Sequence, residues 1–391
     1  MRSTQAASRL ETVGGVDRIG KVFVFGIGLV GTSVGLISCG GGGGIAPSGG
    51  PVTKASVGKA LFFDTSLSTP KGMACATCHS PKKAFTDPRP GPTSQGAVKG
   101  LFGFRKAPSI QYMAFSPTFQ ESGASNGGAL GGQFWDGRAP DLPSQAKGPL
   151  LNPIEMGNAS VQVVVNTVKN GPEAAGMKQI YGPTIFSDPN AAFDAIVDAI
   201  AAYEKTPEVS PFTSKYDAYL NGQVQLTASE ANGLAIFNGK AQCFNCHVST
   251  PLPDGTHPLF TNFTYANIGL PRNPANPYYT MPAKYNPLGS SFTDYGLGNT
   301  TGRATDQGLF LVPSLRNRAV TGPYFHNGGF LTLSAVVQFY NTSELGQVFG
   351  PPEVAQNVNS TQVGNLQLTG QERTDLLNFL NTLTDGFKVP K

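Results

Sequence analysis

Charged side chains are scarce in this chain of 391 residues. They make up 13% of it, about half the fraction usual in soluble proteins. The net charge is only +4 and no run of basic residues occurs, so we expect no nucleic-acid partner. No glycine-rich phosphate loop follows a strand pattern, and nothing therefore indicates a nucleotide site. Histidine occurs four times, cysteine five times and tryptophan once. A catalytic or metal site built from these side chains therefore has few candidate residues.

Two pentapeptides of the form C-x-x-C-H contain four of the five cysteines and two of the four histidines. They are Cys75-Ala76-Thr77-Cys78-His79 and Cys243-Phe244-Asn245-Cys246-His247. At this spacing each thiol can form a thioether to one vinyl group of a porphyrin, and the adjacent imidazole can reach the iron. A zinc site or a thioredoxin-like redox pair would leave the repeated histidine unexplained. The motifs therefore predict two covalently attached c-type haems.

The N-terminal segment predicts export. An apolar run over 22–37 follows basic residues and is short for a membrane span. The run ends in Leu36-Ile37-Ser38-Cys39, which resembles a bacterial lipobox. We therefore interpret 1–38 as a lipoprotein signal peptide and Cys39 as the lipidated first residue of the mature chain. An ordinary signal peptide or a retained anchor is the alternative, and each predicts a periplasmic protein whose membrane contact is limited to its anchor.

The rest of the chain predicts a mainly α fold of two cytochrome-c-like haem domains in tandem. A glycine-rich linker over 39–52 precedes an N-terminal haem domain, 53–210, and a C-terminal haem domain, 211–391. A helix pattern precedes C-x-x-C-H in both halves, which forms a weak internal repeat. With 49 glycines and 31 prolines the chain should be loop-rich but packed, and strand signals are few.

Several helices are predicted by apolar periodicity and by capping signals. Thr227 with Glu230, and Thr369 with Glu372, have the spacing of a capping box at a helix start. The other predicted helices cover 57–64, 191–205 and 333–340.

The function of a haem depends on the ligand opposite its proximal histidine. Two filled axial positions give an electron carrier, whereas an open position lets peroxide reach the iron. Only His257 and His326 are spare; the first is predicted to lie on the surface, and the second can hydrogen-bond a haem propionate. No methionine stands in an obvious ligand helix, so at least one open or unusual sixth position is expected.

Cleavage of a bound O–O bond needs a group that moves a proton between the two oxygens. Glu155 is a candidate for this role, and Gln145 can orient water or peroxide. A salt bridge or a helix cap is the structural alternative for both. Trp135 is either a core residue or an indole that passes electrons between two haems.

Taken together, these residues resemble the bacterial di-haem cytochrome c peroxidase and MauG family over about residues 55–388. Beyond the two C-x-x-C-H motifs, the matching segments occur in the family's order: Leu61-Phe62-Phe63-Asp64, Phe134-Trp135-Asp136-Gly137-Arg138, Gln145-Ala146, Asn152-Pro153-Ile154-Glu155-Met156, Val312-Pro313-Ser314-Leu315-Arg316-Asn317 and Pro323-Tyr324-Phe325-His326-Asn327-Gly328.

The resemblance implies a role for each matching residue. His79 would hold the peroxide-reacting haem of the N-terminal domain, and His247 the electron-transferring haem of the C-terminal domain. Trp135 would lie between the two haems, with Gln145 and Glu155 on the distal side of the first.

The resemblance also implies a calcium site between the domains, formed in part by the carbonyls of Thr321 and Pro323. Lys106 stands where the family has an asparagine ligand. A lysine ammonium cannot ligate calcium and can replace its charge, so the sequence argues against calcium without excluding it.

Two further positions depart from the better-known peroxidases of the family. Those enzymes carry a histidine that blocks the first iron, and none occurs here between Ser80 and Ile110. We therefore expect an open first iron. Tyr340 occupies the position of their methionine ligand to the second haem, as in MauG-like proteins. A phenolate ligand favours Fe(III), whereas the alternative is a packed core tyrosine.

The sequence therefore predicts a periplasmic di-haem peroxidase that reduces hydrogen peroxide to water with electrons from a small cytochrome c or cupredoxin. One alternative is a MauG-like enzyme that oxidises side chains of a partner protein. The alternative from another class is a non-catalytic di-haem electron-transfer cytochrome.

Overall fold

Helices dominate the computed structural model, which describes residues 50–344 and 348–390. Loops and short 3₁₀ turns join the eleven α-helices of this part of the chain. Their bounds are α1 Lys54–Phe63, α2 Cys75–Cys78, α3 Leu142–Leu151, α4 Val161–Lys169, α5 Ala174–Tyr181, α6 Pro189–Glu204, α7 Lys215–Leu220, α8 Ala228–Asn238, α9 Leu297–Thr301, α10 Leu333–Thr342 and α11 Gly370–Asn381.

Strands are confined to one short antiparallel pair among the described residues. β1 Tyr265–Ala266 pairs with β2 Phe310–Leu311, and Tyr265 lies opposite Leu311. The predicted mainly α, loop-rich fold with few short strands is confirmed. The predicted signal peptide, Cys39 and the linker up to residue 49 lie outside the described residues.

Capping boxes begin two helices of the second half. The Thr227 hydroxyl accepts a hydrogen bond from the Glu230 amide. The Glu230 carboxylate accepts one from the Thr227 amide at 2.7 Å. Thr369 and Glu372 repeat this arrangement at the start of α11. These reciprocal bonds satisfy amides that a helix start otherwise leaves unpaired. Both helix starts are therefore as predicted.

Two large hydrophobic cores lie on either side of the predicted domain boundary. In the first, α1 packs on α6 so closely that a Cβ at Gly58 would collide with the Ala199 carbonyl. In the second, α8 packs on α11, and a Cβ at Gly233 would collide with the Asp375 carbonyl. Each glycine thus permits two helix backbones to approach.

The boundary itself stays a prediction. The first core ends at Val209 and the second begins at Tyr216. A smaller cluster joins Tyr112 of the first half to Leu259 and Leu311 of the second. Within the described ranges, no helix has the length and apolar character needed to cross a membrane.

Candidate active site

A cavity of about 420 Å³ lies beside the first C-x-x-C-H motif. Its volume is typical of cofactor pockets. The residues predicted for the first haem and its distal side all line it: Cys75, Cys78, His79, Trp135, Gln145 and Glu155. The structure therefore brings together residues that span 80 positions of the chain.

The first motif places its imidazole for a metal bond. Cys75–Cys78 form the single turn α2, and His79 follows it. Nδ1 of His79 lies 3.2 Å from the Phe85 carbonyl. A neutral imidazole that donates Nδ1–H there keeps its Nε2 lone pair for a metal. Burial lowers the pKa of His79, which favours the neutral ring, and raises the pKa of both cysteines to about 12.

A second cavity of about 190 Å³ lies beside the second motif and repeats this arrangement. Nδ1 of His247 lies 2.9 Å from the Phe260 carbonyl, and burial lowers the pKa of this imidazole to about 4. Cys243, Cys246 and Tyr340 line the same cavity. Burial raises the pKa of Tyr340, and the two cysteines act on it as well, which places the phenol close to the motif.

The residues of both cavities fit a covalently attached haem. Each cavity has two thiols, one imidazole anchored through Nδ1, and walls that are mostly apolar. The second cavity also contains the buried Nε2 of His326, which has no hydrogen-bond partner among the described residues. The His326 ring stacks on Phe310 with 3.6 Å between ring centres. An unpaired buried nitrogen facing a cavity suits a polar group of a bound cofactor.

Glu155 is a buried carboxyl held in one orientation. It follows α3, and Nδ2 of Asn152 donates to its Oε1 at 2.7 Å. Burial raises the pKa of Glu155, while the guanidinium of Arg138 and the Asn152 amide partly oppose this rise. Arg138 is itself held by Asp136 at 2.7 Å and lies over the ring of Phe134. Gln145 lies on α3 and faces the same cavity.

Trp135 lines both cavities. Its indole Nε1 donates to the Lys106 carbonyl at 2.9 Å, and the side chain is 8% exposed. Trp135 is therefore a buried core residue that also lies in the wall shared by the cavities. A packing role and a role in electron transfer are compatible at this position.

Lys106 binds one of the carbonyls that the resemblance assigns to calcium. Its Nζ donates to the Thr321 carbonyl and to the Thr86 hydroxyl, both at 2.7 Å. Burial lowers the pKa of Lys106 to about 7, and the charge of Arg318 adds to this effect. Pro323 follows Thr321 by two residues and leads into the segment that contains His326.

Comparisons with known proteins agree with this arrangement. A family model described as di-haem cytochrome c peroxidase matches residues 52–225. The methylamine utilization protein MauG of Paracoccus denitrificans is 39% identical over 350 residues, which cover 85% of this chain and 88% of that protein. This chain belongs to the di-haem cytochrome c peroxidase and MauG family.

Two further similarities come from peroxidases of this family. A cytochrome c551 peroxidase of Nitrosomonas europaea is 32% identical, and the match covers 78% of this chain and 77% of that protein. The diheme peroxidase BthA of Burkholderia thailandensis is 33% identical, with a TM-score of 0.73 and coverage of 85% and 86%. The predicted family is confirmed. The protein is thus a peroxidase- or MauG-like oxidoreductase, and its family implies two haems.

Several charged residues of this family member were not anticipated from its sequence. Arg318 lines both cavities, and the buried Glu204 lines the first. Glu204 carries a weak signal, because it is the only charged side chain among the buried residues of α6. Arg105 joins Asp136 and Asp294 through bonds of 2.6 to 2.7 Å. No local sequence pattern predicts these contacts.

His257 differs from its predicted surface position. Its Nδ1 lies 2.7 Å from the carboxylate of Asp217, and its ring packs on Phe212. It is half-buried and lines neither cavity, which leaves it with a structural role.

Proposed function

We propose that this chain is an exported di-haem enzyme that reduces hydrogen peroxide to water. Cys75, Cys78 and His79 would hold one haem, and the second motif would hold the other. The observation that carries the proposal is the first cavity, where Glu155 and His79 share one chamber. No second histidine lines that chamber among the described residues. A haem held there would supply the chemistry of O–O bond cleavage.

Glu155 is proposed to move the proton that this cleavage needs. Its carboxylate would accept a proton from one oxygen of peroxide and return it to the other, which leaves as water. Asn152 fixes the carboxyl, and burial keeps its pKa above the ordinary range, closer to neutral pH. Gln145 would bind the peroxide in the same cavity. Two electrons and two protons complete the reduction of peroxide to two waters.

Electrons are proposed to enter through the second cavity and to cross at Trp135. This residue contributes to the walls of both cavities, together with Leu311, Pro313 and Arg318, so a buried indole lies in the wall that the two sites share. A small cytochrome c or cupredoxin would be the donor. Docking of such a protein is an expectation from the reaction, since the two electrons must come from outside the chain.

A second candidate function is MauG-like oxidation of side chains in a partner protein. The observation that favours it is Tyr340, which lines the second cavity, whereas no described methionine does. An anionic oxygen ligand would stabilise oxidised iron. In that case the electrons for peroxide reduction at the first cavity would come from side chains of a protein substrate.

An electron-transfer cytochrome is the alternative from another class. Three methionines line the first cavity: Met73, Met113 and Met156. A thioether from one of them on the iron would close the site to peroxide. Spectra of the oxidised protein would then show two six-coordinate haems, and added peroxide would change neither.

We also propose a periplasmic location with a lipid on Cys39. Replacing Cys39 with serine should release the protein from the membrane fraction.

At the calcium position of the family, we propose that the Lys106 ammonium replaces the positive charge of the ion beside the Thr321 carbonyl. A chelator should then leave the visible spectrum and the unfolding midpoint unchanged.

The proton-transfer role is tested with two carboxyl variants of the first cavity. Glu155→Gln should lower the rate of peroxide reduction by about 10²- to 10⁴-fold, the usual loss of a general acid–base group. Glu204→Gln is the matched control, because this buried carboxyl lies near Cys75 and away from Asn152 and Arg138. Unchanged turnover in Glu155→Gln, with two haems bound, would show that Glu155 does not transfer the proton.

A further inference from the structure

Arg318 is a half-buried cation without a carboxylate partner among the described residues. Its Nε donates to the Ser314 carbonyl at 2.7 Å, and none of the ion pairs in the described chain includes it. Two arginines that are more deeply buried in the described chain differ. Arg105 is held by two aspartates, and Arg316 is held by Asp217 through both of its terminal nitrogens.

A second cation lies close to Arg318. Lys106 also has no carboxylate partner among the described residues and binds only oxygens of Thr86 and Thr321. Burial lowers the pKa of Arg318 to about 10, which expresses the cost of a guanidinium removed from water. Such a cost is usually offset by a buried anion. Because the described chain supplies none, the anion is expected to come from a bound group.

The position of Arg318 indicates which group this is. The residue lines both cavities, and Lys106 lines the first beside it. The main chain at Arg318 is fixed, because the Tyr324 hydroxyl donates to its carbonyl at 2.8 Å. The Thr321 hydroxyl beside it is buried and has no partner among the described residues. Arg318 thus lies where the cavities adjoin, and Lys106 places a second cation in the wall of the first.

We propose that Arg318 binds a propionate carboxylate of a haem at the junction of the two cavities, with Lys106 as the second cation. This inference rests on the proposed function, because it requires haems in the cavities. A guanidinium presents paired N–H donors that match a carboxylate, and the haem propionates are the anionic groups of that cofactor. Arg318 is therefore a positioning residue. Its charge should favour the reduced state of the nearer iron.

The test uses the complete haem-loaded protein and the variant Arg318→Met, which keeps side-chain length and removes the charge. Resonance Raman spectra report the propionate bending band, which responds to hydrogen bonds on the propionate. We expect this band to shift in Arg318→Met. The equilibrium constant for reduction of at least one haem should fall about tenfold, or about 59 mV for one electron. Arg373→Met is the matched control, since Arg373 also binds one carbonyl, of Leu368, but lines neither cavity.

Arg318→Lys separates charge from geometry. It retains the positive charge but loses the paired donors, so its potentials should stay near those of the wild type while the propionate band shifts. It also carries the test if Arg318→Met yields no folded protein. A propionate band that is unchanged in the variant obtained, with two haems per chain, would overturn the assignment of Arg318. Fewer than two haems in the wild type would instead overturn the proposed function.

Discussion

The indole Nε1 of Trp135 donates a hydrogen bond to the main-chain carbonyl of Lys106 over 2.9 Å. The amide of the same lysine donates to the His326 carbonyl at 2.7 Å, and its ammonium binds the Thr321 carbonyl. Through these hydrogen bonds, Lys106 connects Trp135, in the wall between the cavities, to the 321–326 segment of the second half. The proposed route for electrons and the buried charge beside it share one structural support.

Trp135→Phe should separate the reaction of peroxide from the delivery of electrons. We expect donor oxidation to slow at least about tenfold, a rise of about 1.4 kcal/mol in the barrier, because part of the shared indole is lost. The first spectral change on adding peroxide should keep its rate. Stopped-flow spectroscopy measures both steps. Tyr112→Phe controls for the loss of a buried hydrogen bond, as its hydroxyl binds Asp385 away from both cavities. Equal slowing of both steps in Trp135→Phe would contradict the proposed route.

The pH dependence of peroxide reduction should report the Glu155 carboxyl. The ionised form must accept a proton, so kcat/KM falls as the pH drops through the pKa of Glu155. Burial raises that pKa, which places the acid limb above the range of an ordinary glutamate. The charge of Arg138 opposes the rise, so Arg138→Met should move the limb to still higher pH. A limb at the same pH in both proteins would exclude Glu155 as the titrating group.

Local signals predicted the capped helices but missed α3. The capping pairs of α8 and α11 lie within three residues, so their chemistry is visible in the sequence. In α3 the glycine and two prolines indicate a loop. The structure places Pro143 in the first turn, where proline is tolerated, and caps the helix with Asp141. Pro149 lies inside the helix near its end, so the proline and glycine content of this stretch conceals the helix.

The candidate site divides in the same way. The attachment motifs are contiguous, so their chemistry could be predicted from spacing. The contact of Lys106 with Thr321 joins residues 215 positions apart, and that of Arg105 with Asp294 joins residues 189 apart. Neither contact leaves a periodic pattern in the sequence. Arg318 was missed for this reason, because its importance comes from the cavities that it meets.

Tyr340→Met should change the second haem specifically. Under the proposal Tyr340 would supply an anionic oxygen ligand to the iron. Replacing it with a thioether favours the reduced iron, so the potential of one haem should rise. We expect at least about a tenfold change in its reduction equilibrium, about 59 mV for one electron. Tyr278→Met is the control, since the buried Tyr278 lines neither cavity and its hydroxyl binds the Tyr285 carbonyl. Spectroelectrochemical titration measures both. A potential that Tyr340→Met leaves in place would indicate a packed core tyrosine.

The buried pair of Arg316 and Asp217 should matter for stability. Burial alone would raise the pKa of Asp217, but the bonds and charge of Arg316 outweigh this and lower it to about 2. Arg316→Met leaves a buried carboxylate without its cation and should reduce the free energy of unfolding by about 3–5 kcal/mol. Arg303→Met removes a pair with Asp306 in which the arginine is 41% exposed, and should cost at most about 1 kcal/mol. Chemical denaturation at neutral pH compares the two, and similar losses would mean that burial of the first pair is irrelevant.

The sign of the pH effect on this pair follows from its depressed pKa. The stabilisation from Asp217 is complete above the pKa of about 3.8 expected for an unfolded aspartate, and it is lost as the pH falls toward 2. The wild type should therefore lose this contribution between about pH 4 and pH 2. Arg316→Met, with the pKa of Asp217 no longer depressed by the guanidinium, should show a weaker loss over that interval.

The proposed function requires the first cavity to be open to peroxide in the resting enzyme. One equivalent of hydrogen peroxide is added to the fully oxidised protein without reductant, and the visible and near-infrared spectra are followed. We expect an immediate spectral change, because no histidine lies between Ser80 and Ile110 to block the site. A spectrum that changes only after one haem has been reduced would contradict it and would show that a ligand from the chain closes the cavity.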